Sequence, residues 1–226
     1  MTTQRILYPR ISVCLIAEDE VSDSLTEMGQ GETVLLEQVK DGGKYEVIVS
    51  NASGLYRYAL GDVILADHRE GSELLFDLLY RRSNELCLAK GAGVITPDAI
   101  DETVSELITG KNLPAGDYCY GLSEDEDCLE LYLEQAGYGE EQLTAFDVKS
   151  IASDFDNRLR IRSTIYDAAR NGSFNACRVF YLEAETQAAF RETCVMRSHL
   201  TPDQMKPVRL LDNPVKRKFF TTFVTG

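Results

Sequence analysis

The first third of the chain alternates short apolar runs, each of β-strand length, with turn residues. Four such runs precede any segment with helical periodicity, at residues 11–16, 33–39, 45–49 and 63–66. Asp41-Gly42-Gly43 separates the second run from the third, and glycine readily adopts the positive φ that hairpin turns need. The pattern predicts a small antiparallel, barrel-like subdomain at the beginning of the chain.

The remainder mixes helical and strand patterns irregularly. Thr96-Pro97-Asp98 has the capping residue, proline and acid that begin a helix, which is predicted to end near Gly110. Further segments are predicted as a hairpin of residues 117–122 and 128–134, one long helix over residues 144–171, a strand at 177–182, a helix at 186–195 and an extended segment at 207–211. Together with the first subdomain they predict an α+β fold rather than a doubly wound sheet.

Composition excludes several classes of protein. The formal net charge of -14 argues against binding to nucleic acid or to an anionic membrane, because such binding depends on clustered Lys and Arg. No apolar run approaches the roughly 20 residues that span a bilayer, and the first ten residues lack a signal-peptide core. We therefore expect a cytoplasmic protein. Its one basic patch is the last stretch, which contains Lys206, Arg209 and residues 216–218.

The six cysteines and two histidines do not form a metal-binding pattern. No Cys-x-x-Cys pair occurs, and we expect the thiols to be reduced. The acidic run at residues 123–127 has two interpretations, a calcium loop or a solvated hairpin turn. It lacks the glycine and the distal glutamate of the helix-loop-helix calcium pattern, which favours the turn. No metal site is predicted within the chain.

The Gly61-Asp62 pair follows an apolar and aromatic strand and also has two interpretations. It can be a turn that closes the strand, with Asp62 bonded to nearby backbone. It can also bind a nucleotide, because a carboxylate accepts hydrogen bonds from the vicinal hydroxyls of a ribose. Arg57 or Arg82 would then supply positive charge near phosphate or carboxylate oxygens.

Several segments, in order, resemble the auxin-responsive acyl acid amido synthetases of the adenylate-forming superfamily. The most specific are residues 44–49, 54–58 and Gly61-Asp62. Weaker matches are residues 15–20, the Arg81-Arg82 pair, the spaced Asp156, Tyr166 and Arg170, residues 204–209 and Phe219-Phe220. The resemblance extends over nearly the whole chain but over only the later part of the family's usual length.

The resemblance implies a two-domain arrangement and an activity. Residues 1–82 would be the end of the large nucleotide-binding domain, and residues 83–226 a mobile C-terminal lid. The complete enzyme would use ATP and Mg²⁺ to activate a carboxylic acid as an acyl-adenylate, and would then join it to an amine such as an amino acid. Because the phosphate loop and the acyl pocket lie upstream in the family, we expect ATP and Mg²⁺ to bind only with a missing N-terminal domain. The isolated chain is expected to be inactive.

The same resemblance gives each site residue a role. Asp62 would hold the ribose hydroxyls, with Tyr58 packed near the adenosine. Arg82 would mark the hinge between the domains. Lys206 would swing towards the α-phosphate and offset the charge that develops on its oxygens.

Departures from the family pattern leave alternatives open. Proline follows Lys206 immediately rather than one residue later, so Lys216 or Lys218 could be the catalytic lysine instead. Ala59 and Ser83 replace an arginine and a lysine of the family. The acceptor could be coenzyme A rather than an amine. The chain could also be a stand-alone, non-catalytic module that binds a nucleotide or a protein.

Overall fold

The structure is a computed structural model in which the chain divides into two compact units, residues 1–83 and 84–226. It describes residues 11–17, 33–51, 54–71, 73–88, 93–137, 142–196 and 206–225. Parts of some motifs named above, including residues 18–20 and 204–205, lie outside these ranges. Each unit is described by itself.

The first unit contains a five-stranded antiparallel sheet. Its strands, in the spatial order β2-β1-β3-β4-β5, are β1 (Ile11–Ala17), β2 (Val34–Leu35), β3 (Lys44–Asn51), β4 (Tyr58–Glu70) and β5 (Glu73–Arg81). The predicted turn at Gly42 joins β2 and a short 3₁₀ helix (Leu36–Gln38) to β3, and Gly42 has a φ of 77°. The antiparallel sheet is confirmed, whereas its barrel-like closure stays a prediction.

One face of this sheet carries a small apolar core. Tyr45, Ile64 and Ala66 are at most 5% exposed and pack with Val39. Tyr45 and Ile64 are cross-strand partners on β3 and β4, so their side chains lie on the same face. The other face is partly covered as well, since the cross-strand partners Glu46 and Val63 are 8% and 3% exposed.

The prediction that Gly61-Asp62 is a turn closing the strand is wrong. Strand β4 continues through both residues to Glu70, and its pairing with β3 shifts between Val63 and Ala59, so that three residues of β4 lie opposite Val47. Gly61 has a φ of 72°, a conformation that glycine adopts without steric cost. The pair is therefore a β-bulge within a long strand, and such bulges redirect the side chains beside them.

The second unit is a mixed sheet with helices. A two-stranded sheet of β6 (Leu86–Cys87) and β7 (Val94–Ile95) precedes α1 (Pro97–Lys111). A four-stranded sheet has the order β11-β10-β9-β8. Its strands and the helices between them are β8 (Ala115–Leu122), β9 (Leu129–Gln135), α2 (Val148–Arg162), α3 (Thr164–Asn171), β10 (Arg178–Leu182), α4 (Thr186–Val195), α5 (Pro214–Thr222) and β11 (Val224–Thr225).

The connections in this sheet agree with most of the predicted elements. Strands β8 and β9 form the predicted antiparallel hairpin, and β9 pairs in parallel with β10 after the crossover through α2 and α3. At the acidic hairpin tip, the Ser123 hydroxyl donates to Asp127 Oδ1 at 2.7 Å and accepts from the backbone of Asp127 and Cys128. This local bonding closes the tip as a turn. The α+β class is confirmed.

The predicted helix over residues 144–171 is two helices. Ser163 has an extended backbone, with φ of -119° and ψ of 109°, and its hydroxyl accepts from the Tyr166 backbone N–H at 3.1 Å. It is therefore both the end of α2 and the N-cap of α3. The apolar residues of the two helices keep one helical period, so the sequence pattern is continuous. Periodicity does not reveal that Ser163 ends the first helix and caps the second.

Helix α5 was not predicted. Asn213 Oδ1 accepts from the Lys216 backbone N–H at 3.0 Å, and Pro214 occupies the first helical turn. An N-cap asparagine followed by proline is a helix-start signal that the sequence does contain. Among the described helices, none combines the length and apolarity that crossing a membrane would require.

Candidate functional site

The Gly61 bulge places Asp62 beside Arg81. The two residues are cross-strand partners on β4 and β5, and Arg81 Nε donates to Asp62 Oδ1 at 2.7 Å. The Asp62 side chain is 21% exposed and that of Arg81 57% exposed. Among the described residues, Arg81 is the only hydrogen-bond donor to the Asp62 carboxylate. The carboxylate thus reaches solvent with most of its acceptor capacity unused.

Tyr58 shares the sheet face of Asp62. It pairs with Val49 on β3, and alternation places Val49 on the face opposite Glu46. Asp62 lies on that same opposite face, because its neighbour Val63 is the partner of Glu46. The Tyr58 side chain is 51% exposed. Tyr58 and Asp62, which are predicted to contact the adenosine and the ribose, therefore lie on one solvent-accessible face of the sheet.

Arg82 interacts on the other side of the sheet. It lies in a 3₁₀ turn (Arg82–Asn84) directly after β5, and its Nη1 donates to Glu46 Oε2 at 2.9 Å. The Glu46 side chain is only 10% exposed. Arg81, rather than Arg82, is thus the arginine that reaches Asp62, while the hinge role of Arg82 stays a prediction.

Sequence reasoning missed this role of Arg81, although a signal exists. Glu70 and Glu73 are partners on either side of a tight turn at Gly71. Asp62 lies eight residues before Glu70, and Arg81 lies eight residues after Glu73, so regular pairing from this turn places them opposite each other. Two bulges intervene, one in β4 and one in β5, and they compensate each other. A hairpin prediction at Gly71 would have found the pair.

Arg57 has an unusual backbone conformation directly before β4. Its φ is 46°, in the left-handed region that few residues other than glycine adopt. Its backbone N–H donates to Ser50 Oγ at 2.9 Å, and its Nη1 donates to Thr33 Oγ1 at 3.3 Å. The first bond holds the beginning of β4 against β3, and the second joins it to the residue directly before β2. They do not test the predicted contact between Arg57 and a phosphate.

The second unit presents Lys206 at the start of a firmly bonded segment. The Lys206 side chain is exposed. The following residues are extended, and Tyr120 exchanges backbone hydrogen bonds of 2.8 Å with Arg209 and Leu211. Among the alternative lysines, Lys216 contacts Asp212 Oδ1 at 2.7 Å, whereas Lys218 is exposed on α5. The structure thus leaves Lys206 and Lys218 as the more accessible candidates.

Asp156 forms the centre of a buried polar cluster. Its carboxylate accepts from the Tyr166 hydroxyl at 2.6 Å, from Arg170 Nε at 2.9 Å and from the Cys177 backbone N–H at 3.1 Å. Burial alone would raise the pKa of Asp156, but these hydrogen bonds outweigh it and hold the pKa below its usual value. The three residues that the sequence motif grouped are therefore brought together. They join α2 to α3, and the Cys177 backbone, directly before β10, is held to the same carboxylate.

Two surface clefts lie in the second unit, away from the predicted site residues. One, of about 200 Å³, is lined by residues that include Gln135, Tyr181 and Glu183. The other, of about 380 Å³, lies beside Tyr132, Arg178 and Phe180. Among the described residues, no group of three or more His, Cys, Asp or Glu side chains could hold a metal ion.

Comparisons with known proteins agree with the sequence motifs. Residues 16–73 match the GH3 family central domain. The fold is similar to that of the AtGH3.15 acyl acid amido synthetase in complex with 2,4-DB, with a TM-score of 0.74 and 16% sequence identity. A second structure of the GH3.15 acyl acid amido synthetase gives a TM-score of 0.75 at the same identity.

The matched region is nearly all of this chain but little more than a third of each solved synthetase chain. The similarity covers 96% of this chain but 37% of the solved synthetase chains. Identity at this level shows a shared fold rather than a shared substrate. The family match and the shared fold together confirm that this chain resembles part of a GH3-type acyl acid amido synthetase.

Proposed function

We propose that the chain is the C-terminal portion of an ATP-dependent ligase that activates a carboxylic acid and joins it to an amine such as an amino acid. The observation that carries this proposal is the partly exposed Asp62 carboxylate, on a bulge beside Arg81 and on the face of Tyr58. The GH3 family match includes all of β4 up to residue 70. The complete reaction is proposed for the chain together with the part of the synthetase fold that it does not span.

The described residues suit a nucleotide. The free acceptor capacity of Asp62 matches two vicinal ribose hydroxyls, each of which donates one hydrogen bond. The Tyr58 ring offers an apolar surface on the same sheet face, and Arg81 adds positive charge against the repulsion that the net charge of -14 would exert on phosphates. Among the described residues, no group of three or more His, Cys, Asp or Glu side chains could hold Mg²⁺. Binding of Mg²⁺ therefore remains an expectation for the complete enzyme.

The chemistry has two steps. The carboxylate oxygen of the acid attacks the α-phosphorus of ATP and pyrophosphate leaves; the amine nitrogen then attacks the acyl carbon, AMP leaves, and the nitrogen loses a proton. In the first step the exposed ammonium of Lys206 would offset the negative charge developing on the phosphoryl oxygens. Asp62 would keep the ribose in place through both steps. A cytoplasmic location is part of the same proposal.

AMP binding tests the nucleotide site directly. Calorimetric titration with AMP of the chain joined to the remainder of the synthetase fold should give weaker binding for Asp62→Asn by about 10-fold or more, because a hydrogen bond to a charged group contributes about 1.5–3 kcal/mol. Asp67→Asn is the matched control, since Asp67 lies on the same strand and its side chain is 58% exposed. Equal affinities of the wild type and Asp62→Asn would contradict the ribose assignment.

Product analysis tests the reaction. The chain joined to the remainder of the synthetase fold should exchange pyrophosphate into ATP only when a carboxylic acid is present. With free amino acids and coenzyme A both supplied, the expected product is an amide. A thioester would reassign the protein to acyl-CoA ligation, and failure of the exchange would overturn the enzymatic proposal.

A further inference from the structure

The backbone two residues after Lys206 is held by a single buried side chain. Gln187, near the beginning of α4, accepts from the Val208 backbone N–H at 3.0 Å through Oε1. Its Nε2 donates to the Val208 carbonyl oxygen at 2.8 Å. The carboxamide thus bonds both backbone groups of one residue, as a neighbouring β-strand would. Gln187 is 2% exposed, so water does not compete for these bonds.

Gln187 is itself fixed to the central sheet. Its backbone N–H donates to Glu134 Oε2 at 2.8 Å, and Glu134 is 7% exposed on β9. A carboxylate at a helix N-terminus also interacts favourably with the helix dipole. Gln187 therefore connects Val208 to the buried strand β9 rather than to a surface loop.

A second attachment holds the next residue. Arg209 Nη1 donates to the Tyr118 carbonyl oxygen at 2.8 Å, and the same guanidinium forms an ion pair with Asp117. Its carbon Cζ lies 4.1 Å from the centroid of the Tyr118 ring. Successive residues, Val208 and Arg209, are thus clamped by different elements.

We propose that Gln187 is a positioning residue for Lys206. The side chain of Lys206 is exposed. Its backbone lies two residues before Val208, which Gln187 holds, and three residues before Arg209, which β8 holds. A long, flexible lysine delivers charge to a defined place only when its Cα is fixed, and a misplacement of about 1 Å can cost about 100-fold in rate. This inference rests on the proposed function, which gives Lys206 its role in the adenylation step.

The test compares two isosteric substitutions of buried glutamines. Gln187→Met removes both hydrogen bonds to Val208 and keeps the side-chain volume. Gln135→Met is the matched control: Gln135 is 8% exposed in the same unit, and its Oε1 accepts from the Leu143 backbone N–H at 2.6 Å. Both are made in the chain joined to the remainder of the synthetase fold, with Lys206→Ala as the reference.

Three measurements separate positioning from a general loss of stability. Hydrogen exchange at the Val208 amide should become faster in Gln187→Met alone. The kcat of acid-dependent pyrophosphate exchange should fall about 10-fold or more with a nearly unchanged KM for ATP. Amide formation from a supplied synthetic acyl-adenylate should stay within about twofold of the wild type.

Each other outcome overturns the inference in an identifiable way. A Gln187→Met kcat equal to that of Gln135→Met would show that the clamp does not affect Lys206. Equal losses in both half-reactions would make Gln187 a general structural residue. If Lys206→Ala retains adenylation while Val208 exchange still depends on Gln187, the proposed role of Lys206 fails and the clamp is structural only. Should Gln187→Met not fold, Gln187→Asn keeps an uncharged carboxamide that is one methylene too short for Val208, and it should show the same fall in kcat.

Discussion

Asp62 in the first unit and Asp156 in the second are both aspartates of the predicted motifs, yet their surroundings differ. Asp62 accepts from one arginine side chain and is partly exposed. Asp156 accepts from Tyr166, Arg170 and the Cys177 backbone, and is 6% exposed. A carboxylate with saturated acceptors stabilises the fold, whereas one with unused acceptors can receive a ligand. The same residue type therefore has two different surroundings that a sequence motif does not separate.

The largest expected effect is on the saturated carboxylate. Asp156→Ala should lower the free energy of unfolding of the second unit by about 3 kcal/mol, because it leaves the Arg170 guanidinium and the Tyr166 hydroxyl without their acceptor. Urea denaturation followed by circular dichroism measures the change. Asp154→Ala is the control, since Asp154 forms more exposed pairs with Arg158 and Lys111 and should cost less than about 1 kcal/mol. Similar losses for both would remove the distinction.

The same carboxylate should make stability depend on pH. Because the folded-state pKa of Asp156 is lowered, its contribution is complete above the unfolded pKa, about 3.9, and is lost as the pH falls through the folded-state value. The unfolding free energy of the wild type should therefore fall more steeply than that of Asp156→Ala between about pH 5 and pH 3. Parallel profiles would show that the pKa of Asp156 is the same in both states.

A smaller effect is expected when one donor is removed. Tyr166→Phe deletes the hydroxyl that donates to Asp156 at 2.6 Å and should cost about 1 kcal/mol. Tyr181→Phe removes a longer bond of 3.2 Å, to the neutral carbonyl of Phe146, and should cost less. If thermal unfolding showed a larger loss of stability for Tyr181→Phe than for Tyr166→Phe, the bond from Tyr166 to Asp156 would not be a main stabilising contact of this cluster.

The sequence predicted those features that depend on local patterns. Helix α1 follows from Thr96 and Pro97, and the first sheet follows from alternating apolar runs. The break at Ser163 was not predicted, because an apolar stripe has the same period through one helix or two. The partner of Asp62 was not predicted either, because it depends on strand register, and the hairpin at Gly71 that sets this register was not predicted. The Gln187 clamp joins residues that are 21 positions apart, and no local pattern encodes it.

The smallest expected effect is at Asp62. Asp62→Asn should change the free energy of unfolding by less than about 0.5 kcal/mol, because its ion pair with the exposed Arg81 is screened by solvent. The bulge itself depends on Gly61, whose positive φ the substitution leaves untouched. Urea denaturation measures this beside the AMP titration, so that affinity and stability are compared in one variant. A loss as large as that of Tyr166→Phe would mean that Asp62 fastens the bulge and that a weaker AMP affinity reflects a distorted strand. Unchanged stability with reduced affinity would instead assign the unused acceptor capacity of Asp62 to the ligand.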